Sequence, residues 1–82
     1  MKGCRAVHHV HQLVYCPSSK RWHAYEGENY CCPILAGDVI CIRVQDRYFP
    51  ARVERDTRWY LLIGDDKFVL HPKQKYDTIL LF

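Results

Sequence analysis

The second half of the chain is a succession of short apolar runs separated by turn residues. From Gly37 onward, β-branched and aromatic residues alternate with polar ones, and turn-forming residues interrupt the runs at 45–47, 56–57 and 64–66. A period of two residues places apolar side chains on one face of a β-strand. No stretch of the sequence has the apolar spacing of an amphipathic helix of useful length. The alternation therefore predicts a fold made of consecutive strands and hairpins.

The alternation also predicts which residues form the core. Residues 38–44 place Ile40 and Ile42 on one face, and residues 48–55 alternate in the same way. Pro50 cannot donate a backbone hydrogen bond, which predicts that its strand is at a sheet edge or has a bulge. Further strands are predicted over residues 12–16, 21–25, 58–63, 67–71 and 77–82. A single helical turn is predicted over residues 73–76, and a loop over residues 26–36.

A chain of 82 residues has room for one domain. Short hairpins around a single apolar face close most simply into a small barrel, which leaves few exposed edges. We therefore expect an all-β fold, a five- to six-stranded, SH3-like, partly open barrel over residues 11–82. Residues 1–10 are expected to be a leader of uncertain order.

Four motifs support a family resemblance. They are Leu13-Val14-Tyr15, the apolar run from Val39 to Ile42, the run Pro50-Ala51-Arg52-Val53-Glu54, and Trp59-Tyr60-Leu61, and a Gly37-Asp38 step precedes the second of them. With these motifs the chain resembles small SH3-like and Tudor-like barrels, and more closely a family of short bacterial domains of unknown function. The resemblance implies a fold, and we separately expect a bacterial or mobile-element accessory protein. It implies no activity, because the family has none assigned and a fold does not give a function.

The cysteines indicate a reducing compartment. The chain has five, an odd number, and Cys31 and Cys32 are adjacent. Without a secretory signal, free thiols in the cytoplasm are the economical interpretation. No apolar run approaches the length of a membrane span, so no membrane partner is expected.

A zinc site is the most specific chemical hypothesis that the residue types allow. Residue types that zinc favours occur within one stretch at His8, His9, His11, Cys16, His23, Cys31 and Cys32. The four specific candidate ligands are Cys16, His23, Cys31 and Cys32, of which Cys16 and His23 would share one face of the first hairpin. However, no Cys-x-x-Cys spacing is present, and free cysteines are often simply buried as small hydrophobic residues. We therefore expect no cofactor and keep a zinc-stabilised domain as the third hypothesis. Nucleophilic catalysis lacks a recognisable motif, so an enzyme is not expected.

Five arginines fall within sixteen residues and suggest a nucleic-acid interface. Guanidinium groups beside aromatic rings suit both base stacking and phosphate pairing. Against this, the net charge is only +3, and acidic residues lie between the arginines. The candidate binding residues are Arg43, Arg47, Arg52, Arg55 and Arg58, with Tyr48 and Tyr60.

Protein recognition is the favoured hypothesis. The chain has more large aromatic side chains than one thin core is expected to bury, and exposed aromatic residues anchor interfaces. The residues in question are Tyr48, Tyr60, Trp22, Tyr25 and Tyr30. An open edge, at the Pro50 strand or at residues 77–82, could add a strand from a partner or from a second copy of the chain. We expect a non-catalytic binding module, an accessory or inhibitory domain that acts on a larger partner by contact, with nucleic-acid binding as the alternative.

Overall fold

Eight antiparallel strands form a single sheet in the computed structural model, which describes residues 9–82. The order in the sheet is β3-β2-β1-β8-β4-β5-β6-β7, so the last strand lies between the first strand and the β4–β7 meander. The strands are β1 (Val10–Cys16), β2 (Arg21–Glu26), β3 (Asn29–Ile34), β4 (Val39–Val44), β5 (Arg47–Arg55), β6 (Trp59–Ile63), β7 (Asp66–Val69) and β8 (Tyr76–Leu80). The all-β prediction is confirmed, with more strands than the five to six expected.

One of the strands, β3, comes from the segment that was predicted to be a loop. Gly27 adopts a left-handed conformation (φ 62°) in a two-residue turn, so Asn29–Ile34 returns beside β2. Pro33 is tolerated because β3 has a neighbour on one side only. The glutamates and Pro33 made the segment resemble a loop, but burial of Ile34 against the core stabilises it as a strand.

The core lies on one face of the sheet, here called the core face, and the opposite face is called the outer face. Strand alternation places the apolar residues there as predicted, since Ile40, Ile42 and Val53 are fully buried. Thr78 is the buried polar residue of the core face, and its hydroxyl donates to the carbonyl oxygen of Cys41 at 2.7 Å. The full set of buried apolar residues is Leu13, Trp22, Ala24, Ile34, Ile40, Ile42, Ala51, Val53, Trp59, Leu61 and Leu70.

The sheet bends so that non-adjacent strands meet across the core. Phe68 of β7 packs edge-on against Tyr76 of β8, with ring centroids 6.0 Å apart, although three strands separate β7 from β8 in the sheet. The Trp59 indole at the start of β6 donates to the carbonyl oxygen of Lys20, in the turn between β1 and β2. Among the described residues β3 and β7 do not pair, so the sheet is not a closed barrel.

The strands named as open edges are in the interior of the sheet. β5 lies between β4 and β6, and β8 lies between β1 and β4; the edges are β3 and β7. Pro50 is nevertheless locally unpaired on one side, because β6 pairs only with residues Arg52 to Arg55 of β5. The pairing of β8 on both sides also accounts for its weakly alternating sequence.

Three further expectations concern the ends of elements. The helical turn predicted over residues 73–76 is not present: the chain turns at residues 72–73 and Tyr76 already begins β8, while Leu81 and Phe82 lie beyond the last strand and are exposed. Of the leader expected at residues 1–10, residues 1–8 lie outside the described residues, and Val10 begins β1. No helix within residues 9–82 is long and apolar enough to cross a membrane.

Candidate functional site: an aromatic groove

A groove of about 350 Å³ opens at the turn end of the first hairpin. Its size is at the low end of the range for ligand pockets, roughly 300–1,000 Å³, and suits a few side chains better than a large substrate. The hairpin, the loop before β6 and the segment after β7 supply its walls. The lining residues are Tyr15, Trp22, Thr57, Arg58, Trp59, Val69, Leu70, His71 and Pro72.

The floor of the groove consists of large aromatic rings fixed by the strand register. Tyr15 and Trp22 are cross-strand partners in the β1–β2 hairpin, and their ring centroids lie 5.4 Å apart. Trp22 also packs against Tyr76, at 5.8 Å. Trp22 and Trp59 are almost completely buried, whereas Tyr15 is half-buried. The floor is therefore rigid and apolar, with little side-chain entropy left to lose on binding.

Hydrogen bonds hold the two walls of the groove together. The Trp59 indole nitrogen donates to the Lys20 carbonyl oxygen at 3.1 Å, which ties the β1–β2 turn to β6. On the other wall, the Leu70 amide donates to the Trp59 carbonyl oxygen at 3.0 Å, and the His71 amide donates to the Tyr76 hydroxyl at 2.9 Å. The groove is thus a feature of the bent sheet and not of one flexible loop.

Positive charge lies at the rim of the groove. The Arg55 guanidinium lies over the Trp59 ring, 5.1 Å from its centroid, and Arg58 lines the groove directly. Asp56 orders the loop between them, since its carboxylate accepts from the Arg58 amide at 2.9 Å. This hydrogen bond, and then the interaction with Lys67, lowers the pKa of the Asp56 carboxyl. The Asp56 carboxylate is therefore engaged in holding the loop.

The structure distributes the predicted arginine group over both faces of the sheet. Arg43 and Arg52 lie on the outer face, where each forms an ion pair, with Asp77 at 3.1 Å and with Glu54 respectively. Arg47 and Arg55 have the opposite alternation and lie at the two ends of β5. Arg58 precedes β6 at the groove. The five side chains therefore do not form one continuous basic face.

The two predicted tyrosines lie on the outer face. Tyr48 is the cross-strand partner of Arg43 and shares its strand face with Arg52. Tyr60 contacts the Lys67 ammonium, 4.2 Å from its ring centroid. Both rings are half-buried and separate from the groove. Trp22, which was expected among the exposed aromatic residues, is instead in the core.

The four predicted zinc ligands do not converge. Cys16 and His23 share the outer face, as predicted, but each contacts a serine hydroxyl of the β1–β2 turn. Cys16 Sγ lies 3.2 Å from the Ser18 hydroxyl, and His23 Nε2 lies 3.4 Å from the Ser19 hydroxyl. Cys32 packs against the core on the other face, while Cys31 is exposed. Within residues 9–82, the His, Cys, Asp and Glu ligand atoms that do cluster belong to His11, Glu26 and Cys31.

Two of the thiols differ in acidity for clear physical reasons. Hydrogen bonds from the Ser18 and Ser19 hydroxyls, with help from backbone amides of the turn, lower the pKa of Cys16 to about 7. Burial raises the pKa of Cys32, and the neighbouring Cys31 and Asp38 add to the effect. Near neutral pH, Cys16 therefore has much more thiolate character than Cys32.

Most of the groove was not predicted from the sequence. Tyr15, Trp59 and residues 69–72 were assigned to strands or turns without a binding role. The available signal was a pair of aromatic residues flanking a four-residue turn, Tyr15 and Trp22, which a hairpin must place side by side. The contribution of β6 and of residues 69–72 could not be seen in the sequence, because it depends on how far the sheet bends.

Comparison with known proteins identifies a family. No curated protein and no solved structure gives a significant match. The family model of the domain of unknown function DUF5348 matches residues 11–78, which is most of the chain and includes every strand except the ends of β1 and β8. The chain therefore belongs to the DUF5348 family.

Proposed function

We propose that this domain is a non-catalytic binding module that captures an extended segment of a larger protein in the aromatic groove. The observation that carries the proposal is the groove itself, in which an apolar floor around Trp22 and Trp59 lies beside the basic side chains of Arg55 and Arg58. Convergence of aromatic and arginine side chains is typical of the energetic centre of a protein interface.

The charge at the rim defines the chemistry of the partner. Apolar side chains would fill the groove, and an acidic residue beside them would pair with Arg58, whose neighbour Asp56 is already hydrogen-bonded to the backbone. A segment in extended or polyproline conformation fits such a groove without first breaking its own secondary structure. We therefore propose an apolar segment with at least one acidic residue as the ligand, bound by an accessory or inhibitory domain.

We further propose that the bent sheet is an SH3-like, partly open barrel. Support comes from the contacts that bring distant strands together, namely Phe68 with Tyr76 and the Trp59 indole with the Lys20 carbonyl oxygen. An experimental structure would test this assignment by superposition on SH3-like domains. Binding through the groove does not depend on it.

Intrinsic fluorescence offers a direct test, because both tryptophans of the chain line the groove. A display library of random peptides would be selected on the purified protein, and enriched peptides would be titrated while tryptophan emission is followed. We expect enriched peptides to contain apolar residues beside an acidic one, and to shift the emission on binding. Peptides that bind without changing the emission, or a selection without enrichment, would refute the groove as the site.

Two charge reversals provide a matched pair of variants. Arg58→Glu should abolish the emission change, whereas Arg47→Glu, at the β4–β5 turn, should leave binding unchanged. Labelled single- and double-stranded DNA and RNA would be measured in parallel at two salt concentrations. Tight binding of oligonucleotides that weakens steeply with salt, and is lost in Arg43→Glu or Arg52→Glu instead, would favour the outer-face arginines and nucleic acid.

A further inference from the structure

Three neighbouring strands bring histidine, carboxylate and thiol groups together at the end of the first hairpin opposite the groove. His11 lies one step beyond the Gln12–Tyr25 pair of the β1–β2 ladder, which places it beside Glu26 on the core face. The ligand atoms of His11, Glu26 and Cys31 lie within 4.8 Å of one another. We propose that this cluster, completed by His9, binds a zinc ion.

A β-bulge is what adds Cys31 to the cluster. Ala24 pairs with Cys32, but the next residue, Tyr25, pairs with Tyr30, so Cys31 is an extra residue in β3. An extra residue in one strand bends it and redirects a side chain. Cys32 consequently packs against the core, whereas the Cys31 thiol is exposed beside Glu26. The bulge explains why only one of two adjacent cysteines can serve as a ligand.

His9 supplies the fourth donor. Residues two apart on an extended chain point to the same side, as His9 and His11 do. His9 Nδ1 lies 3.0 Å from a Glu26 carboxylate oxygen. That separation is close to the roughly 3.3 Å expected between two ligand atoms that are each about 2.0 Å from a tetrahedral zinc ion. The two atoms are therefore already spaced as two ligands of one zinc ion would be.

The tautomer of His11 also suits a metal ligand. His11 Nδ1 lies 3.3 Å from the carbonyl oxygen of His9, and a carbonyl oxygen can only accept, so Nδ1 is the donor. This leaves Nε2 with its lone pair, and donation from the other ring nitrogen to a carbonyl is the usual orientation of a metal-bound histidine. Two neutral imidazoles, one carboxylate and one thiolate would balance the charge of a divalent cation, with release of the Cys31 proton on binding.

Cobalt(II) is the probe, since it substitutes for zinc and reports its ligands by absorption. The full chain would be titrated with cobalt(II) under reducing conditions. We expect one equivalent to produce a thiolate-to-cobalt charge-transfer band, with visible d–d bands of four-coordinate intensity, and zinc to displace it. Zinc should also raise the melting temperature, because only the folded chain brings the four groups together. Absence of the charge-transfer band at stoichiometric cobalt would overturn the proposal.

Variants distinguish this site from casual binding by other thiols. Loss of a group that only hydrogen-bonds to a metal ligand typically costs about 10–100-fold in metal affinity. Loss of a ligand itself, in Cys31→Ser or His11→Asn, should therefore weaken zinc binding by at least about tenfold. Cys31→Ser should also remove the charge-transfer band. The matched controls Cys32→Ala and His23→Asn should retain both the band and the affinity. Circular dichroism would verify that each variant is folded.

The segment before the described residues needs its own control, because it contains Cys4 and His8. The double variant Cys4→Ser, His8→Asn should bind cobalt as the parent does. A band that survives Cys31→Ser but is lost in this double variant would show that the ligands lie elsewhere and would refute the four-residue set. Peptide binding in the groove is independent of either result, since the two sites share no residue.

Discussion

The two ends of the first hairpin show how one pair of strands can support two unlike surfaces. At the turn end, Tyr15 and Trp22 pack against each other, Trp22 also packs against Tyr76 of β8, and Trp22 is only 1% exposed. At the opposite end, His11, Glu26 and Cys31 carry polar groups, of which Glu26 and Cys31 are exposed. The register is the same throughout, so the difference lies in what covers the hairpin at each end.

This difference has an energetic consequence. The turn end is held by apolar burial, which contributes about 1.5–3 kcal/mol for each large side chain. The opposite end is held by strand pairing and by an exposed His9–Glu26 ion pair, a kind of contact that typically contributes about 0–1 kcal/mol. Substitutions at the turn end should therefore lower stability, whereas substitutions at the opposite end should mainly change what binds there.

The largest effect is expected for Trp22→Ala. Removing this fully buried ring leaves a cavity in the core, and the free energy of unfolding should fall by about 3–5 kcal/mol, enough to unfold a marginally stable small domain. Urea denaturation followed by circular dichroism would measure it. Tyr30→Ala on the exposed part of β3 is the matched aromatic control, and a loss as large as that of Trp22→Ala would contradict the core assignment.

A smaller effect is expected for Trp59→Phe. The substitution keeps most of the ring but removes the indole donor to the Lys20 carbonyl oxygen, so the unfolding free energy should fall by about 1 kcal/mol. Amide hydrogen exchange should also accelerate in the β1–β2 turn, because the tie to β6 is lost. Unchanged exchange in that turn would show that the hydrogen bond does not hold the groove walls together.

At the opposite end, Glu26→Gln should change stability by no more than about 0.5 kcal/mol in metal-free buffer, since the ion pair with His9 is exposed. The comparison with Trp59→Phe under identical conditions tests the contrast between the two ends. If Glu26→Gln were the more destabilising of the two, the polar end would contribute more to stability than the turn end, contrary to the expectation from burial.

Thiol reactivity should distinguish two cysteines without any effect on stability. The rate of Cys16 alkylation by iodoacetamide should rise with pH through a midpoint at about 7, because the thiolate is the nucleophile. Cys32 has a raised pKa and should react only at higher pH. Mass spectrometry of peptides from a pH series would measure both rates. Ser18→Ala should move the Cys16 midpoint upward, since the Ser18 hydroxyl is the main cause of the lowered pKa.

Strand assignment was the part of the fold that local sequence could predict. The alternation of Ile40 and Ile42 with more exposed residues predicted the correct faces of β4 and β5. The turn predicted at residues 45–47 is one residue shorter in the structure, since Arg47 already pairs with Val44. β3 was missed because Pro33 and the charged residues before it disfavour a strand locally. Its pairing with β2 depends on burial of Ile34, a contact with the rest of the core that no local pattern reports.

The candidate sites were less predictable than the strands for the same reason. Arginines close in sequence were expected to be close in space, but alternation sends Arg43 and Arg52 to one face and Arg47 and Arg55 to the other. Cys31 was considered together with Cys32, and only the bulge separates them. Proximity along a strand and proximity on a surface are different, because successive side chains point in opposite directions.

The sequence by itself determined that this chain forms an all-β domain and which residues of most strands face the core, because these properties follow from local alternation and turn chemistry. It also suffices for the match to the family model over residues 11–78. Only the tertiary structure decided the strand order, the bend of the sheet, the groove and the clustering of His11, Glu26 and Cys31. These features depend on contacts between segments far apart in the chain. The free energy of such contacts comes from apolar surface that two segments bury against each other, so it cannot be predicted from either segment alone.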